Sequence, residues 1–154
     1  MRGALPGLAL LALVGCTWRA EPPPPLGESV AVVVRSADLR LAQAAAHLER
    51  AVGEALARDL GWRVTPAGSA RLELAFQVEQ IRSTADDDRG VPIYWQIRLR
   101  GTALLTGAAG TAVPHAFSGT GSYGGLDDED RALRTAAVDA ARDLAEWLED
   151  RGLR

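Results

Sequence analysis

The stretch that decides the fold is ARLELAFQVEQIR at residues 70–82, followed by PIYWQIRLRGTALLT at 92–106. In the first, Leu72, Leu74, Phe76 and Val78 alternate with Arg71, Glu73, Gln77 and Glu79. In the second, Ile93, Trp95, Ile97 and Leu99 alternate with Tyr94, Gln96, Arg98 and Arg100. Successive side chains of a strand point to opposite faces, so each stretch predicts a strand with one buried and one wet face. The phase slips at Gln80-Ile81, where a bulge or the strand's end is expected. STADDDRGV at 83–91 reads as a polar loop. Gly107 to Thr111 suits a hairpin turn, and a third strand follows from Ala112 to about Tyr123.

On the N-terminal side, SVAVVVR at 29–35 is a dense β-branched run and predicts a buried strand. Ser36 or Asp38 is positioned to cap the next element. Leu41, Ala45, Leu48, Val52, Leu56 and Leu60 then form one stripe of a helix, with Arg40, Gln43, His47, Arg50, Glu54 and Arg58 opposite. Gly61 suits the helix stop, and a short strand from Trp62 to Thr65 ends at Pro66. Asp127 or Asp128 is expected to cap a last helix to Arg151, with Leu133, Ala137, Ala140, Leu144 and Leu148 inward and Trp147 at the edge. Acids at Asp127 to Asp130 suit the positive end of its dipole. The order predicts an α+β two-layer sandwich over residues 29–154. Two amphipathic helices lie on one face of a mostly antiparallel sheet of four to five strands.

The chain of 154 residues is one domain's length. Hydrophobic residues at 47% and charged residues at 24% belong to a globular protein. All 17 basic residues are Arg, and against 20 acids they leave a net charge of -3. That balance argues against nucleic acid as a partner, since phosphate binding needs a basic surface. One Cys and two His leave little for a His/Cys metal site or a disulfide framework.

Residues 1–16, MRGALPGLALLALVGC, place Arg2 before an apolar run from Leu8 to Val14. The run is far short of the roughly 20 residues that span a bilayer, and it matches a signal-peptide core. Leu13-Val14-Gly15-Cys16 resembles a bacterial lipobox, which implies a signal peptide at 1–15 and covalent lipid on Cys16. An ordinary signal peptide with an incidental Cys is the competing reading. Several acyl chains anchor stably where one is marginal. Thr17 follows, with no Asp to suggest inner-membrane retention, so the resemblance implies the periplasmic face of the outer membrane. TWRAEPPPPLGE at 17–28 reads as a tether, its four prolines favouring an extended segment. A loop packed on the domain is the other reading of 17–28.

Gly119-Thr-Gly121-Ser-Tyr-Gly124 spells a dinucleotide-binding fingerprint. That mechanism needs a further strand after the helix, and the chain ends instead. A Gly-rich strand end approached closely by a helix is the better reading. Asp86-Asp87-Asp88 lacks the spacing of a cation loop and reads as solvated. His47 is expected to be exposed, and His115, beside Pro114, to lie on an edge strand. No Ser or Cys nucleophile has an evident base, so no catalytic residue is expected. Arg98 and Arg100, with Arg71 and Arg82 near them, form a candidate stripe for an anionic lipid head group. The alternative is that these arginines pair with Glu73 and Glu79.

Taken with the lipobox and element order, SVAVVV, LERAVGEALARDLGWRV, ARLELAFQVEQI, YWQIRLRGTALL and SGTGSY give a chain that resembles the LptE-type outer-membrane lipoproteins. The resemblance implies a non-enzymatic partner of an LptD-like β-barrel in lipopolysaccharide assembly, without a cofactor beyond the lipid on Cys16. Lipopolysaccharide itself is then a candidate ligand. Other small envelope lipoproteins, such as the YajG type, share the outline and would bind glycolipid, cell-wall machinery or another envelope protein.

Overall fold

The computed structural model describes residues 29–36, 41–82, 94–107, 112–124 and 129–151. The signal peptide, Cys16, the tether, Asp38, Asp86 to Asp88 and Asp127-Asp128 lie outside the described residues. The element order is β1 (Ser29–Arg35), α1 (Ala42–Asp59), β2 (Arg63–Val64), β3 (Ala70–Arg82), β4 (Trp95–Thr106), β5 (Ala112–Tyr123) and α2 (Glu129–Asp150). The strands make one five-stranded sheet in the order β2-β1-β3-β4-β5. β1 pairs parallel with both β2 and β3, and β3, β4 and β5 form an antiparallel meander. The expected α+β sandwich is the observed one.

Both helices cover the same face. Alternation along β3 and β4 puts Leu72, Leu74, Ile97, Leu99 and Ala103 beneath them, each fully buried or nearly so. Helical period does the same for Leu48, Val52 and Leu56 of α1 and for Ala136, Ala140, Leu144 and Leu148 of α2. Fully burying one such Leu contributes about 1.5–3 kcal/mol, so this seam supplies most of the driving force. Leu60 and Gly61 end α1, and Gly61 takes a φ of 67°, where a side chain would be strained.

Several expectations are corrected. The pairing of β3 with β4 runs unbroken to Arg82 opposite Trp95, so there is no bulge at Gln80-Ile81. The polar residue is accommodated instead: the Gln80 amide donates to the Tyr123 hydroxyl at the sheet's end. β1 is buried only in part: Val30 and its neighbour Ala31, on opposite faces, are buried, whereas Val32, Val33 and Val34 are half-buried. The α1 N-cap is Leu41, without a side-chain cap. His47 is not exposed: it turns into the seam between the helices and meets Asp130.

α2 sits unusually close to β5. A Cβ on Gly119 would lie 2.1 Å from the Ala136 carbonyl oxygen, and one on Gly121 would lie 2.0 Å from that of Ala132. The Gly-x-Gly run is therefore a docking track for an Ala-rich helix. Asp139 and Asp143 reach from the same helix to β5, accepting the Thr120 and Ser118 backbone N–H at 3.0 Å each.

Candidate functional site

With both helices on one face, the other face of the sheet has no covering layer among the described residues. Register builds that face in rows. Glu79, Arg98 and Thr120 form one row, and Gln77, Arg100 and Ser118 the next. Ala75, Thr102 and Ala116 form the third, and its short side chains leave a trough. A depression of about 460 Å³ opens there, bordered by Gln77 and Arg100.

The candidate arginines are divided by this trough. Arg100 Nη2 lies 2.5 Å from Glu79 Oε1, and the Gln77 side-chain oxygen accepts from Arg100 Nε. Arg98 has no ion pair among the described residues. Arg71 is on the same face but opposite Thr106, six residues along β3 from the Arg100 row, about 20 Å away. It pairs with Glu73 at 2.6 Å, and Arg35 joins the same carboxylate at 3.1 Å. The Arg71 hydrogen bond, with the charges of Arg35 and Arg71, holds the Glu73 carboxyl below its ordinary range. Arg82 stands opposite Trp95 at the far end of β3, eleven residues from Arg71 and out of phase with it in the two-residue period. Of the expected arginines, Arg100 and Arg71 are thus neutralised by Glu79 and Glu73, and Arg98 has no ion pair among the described residues.

Both histidines are committed to α2. His47 Nε2 lies 2.6 Å from Asp130 Oδ1, and Asp130 also accepts from Gln43 and from Arg134 at 2.8 Å. His115 stacks on Trp147 with centroids 4.6 Å apart and planes 5° from parallel, and the Arg151 guanidinium lies 5.4 Å from the same indole. His115 Nε2 is buried and 3.7 Å from Asp143, beyond hydrogen-bond reach. Among the described residues, no group of three or more His, Cys, Asp or Glu could hold a metal ion. Nor is any described helix long and apolar enough to cross a membrane.

Sequence reasoning missed the trough, since Ala75 and Ala116 are unremarkable until register aligns them with Thr102. It also missed Asp139 and Asp143. Their signal was a pair of acids four apart, flanking the inward stripe and not opposite it.

The fold has counterparts among solved proteins. Rare lipoprotein B from Shewanella oneidensis superposes with a TM-score of 0.52 at 12% identity, over 80% of this chain and 95% of that one. A minor lipoprotein from Acinetobacter baumannii gives 0.53 at 12% identity, over 80% and 92%. A Caulobacter crescentus protein gives 0.50 at 22% identity, over 81% and 91%. These identities establish a shared fold and nothing finer. No family model matches the sequence, and no curated protein does.

Proposed function

We propose that the chain is a lipid-anchored lipoprotein of the bacterial envelope, tied through Cys16 to the outer membrane and facing the periplasm. Its domain acts as a non-enzymatic docking module. The observation that carries this reading is the one-sided sheet: two helices cover one face, and the other presents a trough bordered by Gln77 and Arg100, with Arg98 one row beyond. A catalytic protein needs converging reactive groups, whereas His47 and His115 are occupied by Asp130 and Trp147. The lipobox supplies the anchor, and the shared fold with two solved lipoproteins supports the class.

In its finer form the module works as LptE-type proteins do, seated against an LptD-like β-barrel during lipopolysaccharide assembly. Purification of the native chain in mild detergent tests this. A large β-barrel should co-purify in roughly equimolar amount, and Thr102→Trp, which fills the trough, should release it. A chain that elutes alone sinks the barrel reading. Arg98, without an ion pair among the described residues, bordered by Thr120 and near Ser118 and Ser122, favours a second reading, in which the face holds an anionic lipid head group.

A further inference from the structure

β5 is the outer strand of the sheet, and such a strand invites pairing with another chain through its unused N–H and C=O groups. Outward N–H groups recur at every second residue of an antiparallel edge. On β5 these are the even positions, because Ser118 and Thr120 direct their N–H groups away from β4 and toward α2. Pro114 is in the same set and has no N–H. The opposite edge of the sheet, β2, is two residues long and offers little.

The two carboxylates fit the edge by pitch. Asp139 and Asp143 are one helical turn apart, about 6 Å along the axis. Ser118 and Thr120 are two strand residues apart, about 6.7 Å. The helix runs antiparallel to β5, so Asp139 meets Thr120 and Asp143 meets Ser118. Gly119 and Gly121 bring the helix close enough for side chains as short as Asp to reach round the edge. The Thr120 hydroxyl adds a second contact from β5 to Asp139, at 3.4 Å. Trp147, one turn further on, stacks on His115 and extends the same line along the strand.

We propose that Asp139 and Asp143 guard the β5 edge, keeping the chain from joining a second copy of itself strand to strand. An incoming β5 needs the two N–H groups that the carboxylates occupy. A symmetric pair would also bring four aspartates into one seam, where like charges repel. Asp139→Ala with Asp143→Ala removes both obstacles and leaves the core stripe of α2 intact.

The experiment uses the full chain in mild detergent, with oligomeric state read by sedimentation across a concentration series. The wild type should remain monomeric. The double alanine variant should dimerise at least tenfold more tightly, with the Ser118 and Thr120 amides protected in the dimer. Asp139→Asn with Asp143→Asn keeps an acceptor at each position and should stay monomeric. Adding Thr120→Pro to the double alanine variant removes an outward N–H, as Pro114 already does, and should restore the monomer without restoring the bonds to α2. A folded double alanine variant that stays monomeric overturns the proposal. So does one that unfolds, because the carboxylates would then hold the helix and not the edge.

Discussion

His47 on α1 and Asp130 on α2 meet at 2.6 Å across the seam between the helices, and this contact links the two halves of the covering layer. The hydrogen bond from His47 is the main cause that holds the Asp130 carboxyl below its ordinary value of 3.8; partial burial opposes it, and Gln43 and Arg134 add to it. A carboxyl with a lowered folded-state pKa stabilises the native chain above its unfolded pKa, and that contribution is lost as pH falls through the folded value. The wild type should therefore lose stability between about pH 5 and about pH 3 more steeply than Asp130→Asn. Urea midpoints at the two pH values measure it. Equal losses in both proteins would show that the contact adds nothing in solution.

Gly119 and Gly121 should tolerate no side chain. Ala at either position places a Cβ against a helix carbonyl oxygen, and such overpacking costs about 1–3 kcal/mol or more. Among the described residues Gly107 has nothing within 4 Å of its Cβ position, so Gly107→Ala should change stability by less than about 0.5 kcal/mol. Denaturant unfolding of the three variants separates close approach from a general effect of glycine.

Leu144 is fully buried where α2 crosses the sheet. Leu144→Ala should cost about 2–5 kcal/mol, set by how far the Ala-rich surroundings collapse into the gap. Val138, 47% exposed on the same helix, is the control, and Val138→Ala should stay within about 0.5 kcal/mol. Similar losses at both positions would contradict the one-sided helix.

The sequence made the fold readable wherever one face is wet and the other buried. Alternation in 70–82 and 95–106 and the stripes of both helices all follow from that asymmetry. It misled at Gln80, where a polar residue faces the helix side beyond the end of the covering layer, and at His47, whose polarity suggested solvent although its partner lies 83 residues away. The arginine stripe was legible only in part. Period two placed Arg98 and Arg100 together, but register between strands, which no local pattern encodes, set Arg71 far along the sheet and Arg82 out of phase.

Arg98 and Arg100 should separate binding from stability. Arg98 makes no ion pair among the described residues, so Arg98→Ala should leave stability within about 0.5 kcal/mol of wild type. Arg100 is 52% exposed and its pair with Glu79 is solvated, so Arg100→Ala should cost no more than about 1 kcal/mol. If the open face meets an anionic head group, the double variant should bind vesicles containing anionic lipid about tenfold more weakly than wild type, the equivalent of about 1.4 kcal/mol. Raising salt shortens the screening length from about 8 Å at 0.15 M to about 3 Å at 1 M, and the difference between the proteins should shrink with it. Flotation with vesicles at several salt concentrations reads both effects. Binding that resists salt and survives the double substitution would remove the arginines from the interface and leave the trough at Thr102 as the contact to pursue.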